Sequence, residues 1–261
     1  MGQARPLAKG ALGEPMEFGF LALAVLGLAL GGVLKGAIGA GAPVVAVPIL
    51  ALIYSVPVAV VIFTVPNLLS NAWQLWSYRA DLLAPKFVWS YAGGGALGAI
   101  AGSVLLAVIS GEALLAGLGC IVFIYIALRL MAPHWVLSRS LADRVVLPVG
   151  IVAGVMQGAG GISAPISITF LNAMRLDRGT FIATISAFFG AMAVVQIPTL
   201  WALGLMTPAL AGWSLLAAVP LFGAMPIGAW LGRRIDKAFF DKLILALLAV
   251  VALKLFYDAL T

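Results

Sequence analysis

The chain consists of long apolar runs separated by short polar turns. Residues 18–34 carry no charge, and after Lys35 a second uncharged run extends over 36–78. About 20 residues suffice to cross the hydrocarbon core of a bilayer, so the second run is too long for one helix. Glycines and prolines divide it, because both residues interrupt helices. The predicted segments are about 18–38, 43–55 and 57–78.

The remaining chain follows the same pattern. Helices are predicted over about 87–110 and 111–130, then a polar loop over 131–144, then segments over about 145–157, 161–173, 180–203, 208–231 and 239–259. The predicted units are a tail (1–17), a first membrane repeat (18–131), a cytoplasmic linker (132–144) and a second membrane repeat (145–261). The fold class is therefore an all-α polytopic membrane protein with about five helical segments in each half.

Three short matches indicate that the second half repeats the first. Gly39-Ala-Gly41 matches Gly158-Ala-Gly160, residues 97–102 match 227–232, and Thr64 matches Thr184 between them. Glycine-rich membrane helices match one another by chance, so each match is weak alone. Three matches in the same order favour a duplication.

The distribution of basic residues predicts how the two halves are oriented. Lysine and arginine concentrate in the loops 79–86, 129–144, 175–178 and 233–242, while the turns 55–57, 110–112 and 204–207 have none. Basic loops face the cytoplasm, so each loop and its counterpart in the other half fall on opposite sides of the membrane. The halves are thus predicted to form an inverted-topology repeat with both termini outside. Arg5 and Lys9 in the outer tail count against this absolute orientation.

Composition excludes several classes of function. Hydrophobic residues make up 64% of the 261 residues and charged residues 9%, whereas soluble domains carry about 25% charge. The net charge of +6 is spread among loops and forms no nucleic-acid-binding face. One cysteine (Cys120), one histidine (His134) and carboxylates confined to the tail, the loops and the ends of the predicted segments leave little from which to build a catalytic or metal centre. We expect no enzyme activity, cofactor or bound metal.

The two glycine-rich breaks, at 36–48 and 154–165, are the candidate substrate site. In lipid, an interrupted helix is tolerated where it is buried in protein or lines a cavity. The helix that starts after each break presents unpaired N–H groups and a partial positive charge, which bind anions. We expect the two breaks to form hairpins whose glycines meet near the midplane. The candidate glycines are Gly39, Gly41, Gly158, Gly160 and Gly161, with close helix packing as the alternative; for Gly98, Gly102, Gly228 and Gly232 packing is preferred.

Polar residues beside the breaks complete the candidate site. Lys35 either attracts an anion to the first break or lies at the inner surface and extends to water. Asn67, Asn71 and Gln74 share one face of the helix after the first break, where they either line a path or bond helices together. The other candidate substrate-binding residues are Ser70, Gln157, Ser163, Thr184 and Ser186.

These features together resemble the sulfite exporter TauE/SafE family of bacterial inner-membrane proteins. The residues that carry the resemblance are the first break followed by 67–78, and the second break followed by 184–196. The family pattern has adjacent glycines at the first break, where this chain has Ala40, Ala42 and Pro43 among them. The resemblance implies transport, usually outward, of sulfite or small organosulfonates.

The sequence thus predicts an anion transporter that works by alternating access about the two breaks. The alternatives are a transporter of another small anion or of a divalent cation, and a non-catalytic membrane scaffold. The expected partners are a small anionic substrate and the lipid bilayer, without nucleic acid, and the sequence leaves open whether two copies form a homodimer.

Overall fold

Helices account for nearly all of the structure, as the long apolar runs predict. The computed structural model of the chain describes residues 18–131, 135–234 and 237–260, with side chains in the last range described from 244 to 259. The predicted tail 1–17, with Arg5 and Lys9, lies outside the described residues, as do His134 and Asp236.

Each half contributes five of the ten α-helices found in the described residues. The first half forms α1 (Phe18–Ile38), α2 (Ala42–Ile53), α3 (Val56–Tyr78), α4 (Pro85–Val108) and α5 (Gly111–Met131), with a 3-10 turn (Arg79–Asp81) after α3. The second half forms α6 (Arg139–Gly160), α7 (Ala164–Ala173), α8 (Arg178–Ala202), α9 (Pro208–Leu231) and α10 (Lys237–Leu260).

Seven helices of the described chain are long and apolar enough to cross a membrane, namely α1, α3, α4, α5, α6, α8 and α9. The all-helical membrane fold is confirmed, and the chain is a multi-pass membrane protein. In each half a long helix (α1 or α6) is followed by a short one, α2 with 12 residues or α7 with 10. The short helices cannot cross a core of about 30 Å, at a rise of about 1.5 Å per residue.

The loop predicted over 131–144 is wrong in its second part, because α6 already begins at Arg139. The Ser138 hydroxyl accepts a hydrogen bond from the Leu141 N–H at 3.4 Å, which starts the helix. Arg139 and Asp143 pair at 2.9 Å along the exposed first turns, so these charges are compatible with helix. As a result α6 has 22 residues and reaches spanning length.

The tightest packing joins helices of different halves through glycines. A methyl group on Gly36 of α1 would lie 2.0 Å from the carbonyl oxygen of Met225 in α9. Likewise, a methyl group on Gly154 of α6 would lie 2.2 Å from the carbonyl oxygen of Gly95 in α4. The first long helix of each half, α1 or α6, therefore packs through a glycine against a helix of the other half, α9 or α4.

The packing interpretation of the glycines in α4 and α9 is confirmed. A methyl group on Gly98 would lie 2.1 Å from the Ile151 carbonyl oxygen, and one on Gly228 would lie 2.0 Å from that of Val33. Gly102 and Gly232 would meet backbone oxygens at 2.2 and 2.9 Å. Absence of a side chain at these positions lets the helix backbones approach to contact.

A matched pair of substitutions on α4 tests this packing. We expect Gly98→Ala to lower the free energy of unfolding by about 1–3 kcal/mol, because its methyl group would overlap backbone atoms. Gly93, on the same helix, has no atom within 4 Å of an added methyl group. Since alanine favours helix over glycine, Gly93→Ala should be neutral or slightly stabilising. Thermal unfolding of the detergent-solubilised protein measures both, and equal effects would contradict the packing account.

Candidate functional site

Both glycine-rich breaks form tight turns, which we call the first tip (39–41) and the second tip (161–163). Gly39 and Gly161 have φ of 81° and 71°, a left-handed conformation in which glycine avoids the strain other residues meet. Each glycine N–H donates to the carbonyl oxygen four residues earlier, that of Lys35 at 2.7 Å and that of Gln157 at 2.8 Å. Lys35 and Gln157 therefore occupy equivalent places at the ends of α1 and α6.

The local geometry of the tips pairs different residues from those in the sequence match. Gly39 has the conformation and the hydrogen bond of Gly161, whereas the match of Gly-Ala-Gly pairs it with Gly158. Gly41 and Ser163 then correspond, since each directly precedes the short helix of its hairpin. Between the packing glycines Gly36 and Gly154 and their tips, the second half has one additional helical turn of four residues.

Two candidate glycines lie on this additional turn and contact neighbouring helices. A methyl group on Gly158 would lie 2.3 Å from the Ala99 carbonyl oxygen in α4. One on Gly160 would lie 3.2 Å from the side chain of Ile121 in α5. Both positions are inside α6, so the structure places Gly158 in a helix-packing contact and Gly160 beside α5.

Neither short helix has its start capped by a side chain. The residues before α2 and α7, Gly41 and Ser163, make no side-chain hydrogen bond to the first turn. A proline occupies the first turn of each helix. Each start therefore carries the partial positive charge of a helix N-terminus, and both starts are buried.

Lys35 is buried in the protein interior. Its side chain is 2% exposed, and its Nζ donates to Oδ1 of Asn71 at 2.8 Å. The alternative in which Lys35 extends to water at the inner surface is therefore wrong. Asn71 in turn donates through Nδ2 to the backbone oxygen of Asn67 at 2.7 Å and to its Oδ1 at 2.8 Å. The three side chains form one hydrogen-bonded chain between α1 and α3.

Helix α8 continues this polar region. Ser186 donates to Oε1 of Gln74 at 3.3 Å, and Gly39 of the first tip lies against Ile182, one helical turn before Ser186. All of the polar side chains involved are buried. We call this set the Lys35 cluster, and its members are Lys35, Asn67, Asn71, Gln74 and Ser186.

A second polar group surrounds the second tip. Ser163 donates to Oε1 of Gln157 at 3.2 Å and lies 3.4 Å from the hydroxyl of Ser167, and all three side chains are buried. The Tyr91 hydroxyl donates to the Ser167 backbone oxygen at 3.4 Å, and its ring stacks on Phe188 at 3.8 Å between centroids. Sequence reasoning missed Ser167, although its spacing of four from Ser163 places both on one helix face.

Two predicted residues make no hydrogen bond to a side chain of the Lys35 cluster among the described contacts. Thr184 is two residues from Ser186, which turns it to a different face of α8. Its hydroxyl is buried without a hydrogen-bond partner among the described residues. Ser70 bonds back to the Asn67 carbonyl oxygen of its own helix at 3.3 Å.

The second tip and the Lys35 amine contact different levels of α3. A methyl group on Gly161 would lie 3.2 Å from the Val60 side chain, near the start of α3, and 3.1 Å from Val47 of α2. The Lys35 Nζ instead reaches Asn71, which at 1.5 Å per residue is roughly 16 Å further along α3. The polar residues that Lys35 contacts therefore lie toward the end of α3 that is remote from the second tip.

Broken hairpins, buried polar groups and spanning helices together define a polytopic membrane protein of the transporter type. The family model described as sulfite exporter TauE/SafE matches residues 23–255. The chain belongs to this family of membrane transporters, as its motifs predicted. No curated protein and no solved structure matches the chain.

A double-mutant cycle tests whether Lys35 and Asn71 act as a pair. We expect Asn71→Leu to lower the free energy of unfolding by about 1–3 kcal/mol, because the buried Lys35 amine loses its acceptor. The double variant Lys35→Met/Asn71→Leu should recover much of that loss, since both polar partners are then gone. Ser70→Ala on the same helix is the control with a small effect. Additive losses in denaturation of the purified protein would show that the pair is uncoupled.

Proposed function

We propose that the chain carries small sulfur-containing anions, such as sulfite and organosulfonates, out of the cell across the bacterial inner membrane. Lys35 supplies the positive charge of the binding site, beside the first tip. The glycine turn and the start of α2 bring backbone N–H groups and a helix dipole toward the same region. The family description agrees with this class of substrate.

The observation that carries the proposal is the buried Lys35 amine. A lysine inside a membrane span is costly unless it is solvated or paired, by about 2.5–3.5 kcal/mol at the bilayer centre on insertion scales and by less toward the surface. Its partner in the structure is the neutral Asn71, and among the described residues it has no carboxylate partner. An anion arriving at Lys35 would supply the missing negative charge and accept the hydrogen bond now made to Asn71.

Alternating access is supported by the places where the Lys35 cluster and the second tip contact α3. The Lys35 cluster lies near the ends of α3 and α8 that adjoin the basic loops, which we assign to the cytoplasm. The second tip contacts the opposite end of α3. We propose that the halves are inverted repeats, and that movement about the tips exposes the polar stripe of α3 first to one side and then to the other. A homodimer is a compatible assembly.

A divalent cation is the main alternative substrate. Lys35 disfavours it, because the ammonium group would repel a cation at the first tip. A non-catalytic scaffold is the other alternative. Burial of the polar side chains from Lys35 to Asn67 costs free energy, and a scaffold would have no need of them.

Flux into proteoliposomes that contain the purified protein tests the proposal. Sulfite, sulfoacetate, sulfate and chloride are supplied in turn, and we expect saturable movement of sulfite or the sulfonate. Lys35→Met should raise KM about tenfold or more, which corresponds to about 1.4 kcal/mol of lost binding.

Lys86→Met is the matched control, because Lys86 is an exposed lysine at the start of α4. It removes the same charge away from the site and should leave flux unchanged. Movement of a divalent cation without any anion would refute the proposal, as would anion flux that is indifferent to Lys35→Met.

A further inference from the structure

A cavity of about 330 Å³ lies beside the first tip and has no assigned role. Its walls come from the ends of α1, α5, α7 and α9 and from the start of α8. The ends of α5, α7 and α9 and the start of α8 adjoin the basic loops, whereas α1 ends at the first tip. The cavity therefore lies on the predicted cytoplasmic side. We call it the basic vestibule, and the residues that define it here are Ala37, Ile38, Arg129, Asn172 and Arg178.

The vestibule borders the first tip directly. Ala37 and Ile38 are the last residues of α1, immediately before Gly39 of the first tip. Arg178 donates from Nη2 to the Ala37 backbone oxygen at 3.3 Å. Lys35 is two residues before Ala37, on a different face of α1, so the vestibule borders the first tip and not the Lys35 cluster itself.

The charge of the lining is positive. Two guanidinium groups, those of Arg129 and Arg178, line the vestibule, and none of the described residues that line it carries a carboxylate. The Asp81 carboxylate lies beside Gly179, the residue after Arg178. The nearest acid along the chain, Asp177, accepts hydrogen bonds from Thr180 through both carboxylate oxygens, at 2.6 and 3.0 Å. The bond from the Thr180 hydroxyl is the main reason that the pKa of Asp177 is lowered. Asp177 thereby fixes the start of α8, and with it the position of Arg178.

The size and chemistry of the vestibule suit a small oxyanion. Ligand pockets commonly have volumes of about 300–1,000 Å³, so this one has room for a sulfonate-sized anion and some water. A guanidinium group presents paired N–H donors that match two oxygens of a carboxylate, phosphate or sulfonate. A groove lined by one sign of charge also raises the local concentration of ions of the opposite sign.

We propose that the basic vestibule is a second anion site, in which Arg178 and Arg129 hold the anionic substrate before it passes the first tip to Lys35. The proposal rests on the function proposed above, because it assigns the vestibule to the same substrate. The arginines set the affinity for arriving anions, while Lys35 binds them at the tip.

Charge-dependent labelling of a cysteine in the vestibule tests this site without requiring transport. Cys120, the single cysteine and an exposed one, is replaced by serine, and the exposed Asn172 is replaced by cysteine as the reporter. We compare its rates of modification by a methanethiosulfonate bearing a sulfonate and by one bearing a trimethylammonium group. The anionic reagent should react faster by about tenfold or more, and free sulfoacetate should slow it.

Arg178→Gln and Arg129→Gln should each reduce this preference at least about threefold, and Arg178→Lys should retain most of it because the positive charge remains. Arg144→Gln is the matched control, since Arg144 is exposed on the same predicted side but does not line the cavity. Equal rates for the two reagents would overturn the proposal, as would an equal effect of Arg144→Gln.

Flux measurements separate the two proposals. If the protein transports sulfonates, Arg178→Gln should raise KM about fivefold or more and leave kcat within about twofold, because the arginine acts before the tip. An unchanged KM would overturn the vestibule and leave the proposed function standing. If the protein moves no anion at all, the proposed function fails, and the labelling ratio alone decides whether the vestibule binds anions.

Discussion

The hydrogen bond from Lys35 to Asn71 joins α1 to α3 and holds a lysine amine in the protein interior. A lysine amine inside a lipid-embedded protein is retained where a partner offsets part of its desolvation. Asn71 provides that partner, and it is itself held by Asn67 one turn away. The two bonds join the Lys35 side chain of α1 to α3, one helical turn before the first tip. A neutral acceptor leaves the charge of Lys35 uncompensated, which is the property an anion site requires.

Backbone packing through glycine supports this arrangement from outside the site. Helix α1 of the first half is packed against α9 of the second, and α6 of the second half against α4 of the first. Each hairpin is thus anchored to a helix of the opposite half, so the halves interlock. Helices α3 and α8, one from each half, are joined by the hydrogen bond from Ser186 to Gln74.

The helices and the hairpins could be predicted from sequence because a lipid environment restricts which residues a spanning helix contains and where it is interrupted. Charge-free runs gave the helices, and glycine-rich breaks gave the hairpins. The start of α6 was missed because the charges of Arg139, Asp143 and Arg144 are typical of a loop between membrane helices. In the structure these residues lie on the exposed first turns of α6, which Ser138 caps. The pairing of Gly39 with Gly161 by local geometry was also missed. The match of Gly-Ala-Gly ignored an additional turn in α6, which becomes visible through the backbone contacts of Gly36 and Gly154.

The polar residues show where sequence reasoning ends. Spacing alone placed Asn67, Asn71 and Gln74 on one face, and that face is buried. Spacing could not show that Lys35 turns inward, or that Thr184 faces away from Ser186, since both depend on how helices pack. The vestibule could not be predicted from sequence either, because its arginines come from α5 and α8 and line the same cavity only after folding.

The central claim is that a substrate anion binds at Lys35. The most direct measurement is the anomalous scattering map of crystals soaked with a bromine-bearing alkanesulfonate. The account predicts bromine density beside the first tip, with a sulfonate oxygen within hydrogen-bonding distance of the Lys35 Nζ in place of Asn71. Sulfonate density remote from both Lys35 and the first tip, with the bond from Lys35 to Asn71 intact, would contradict it.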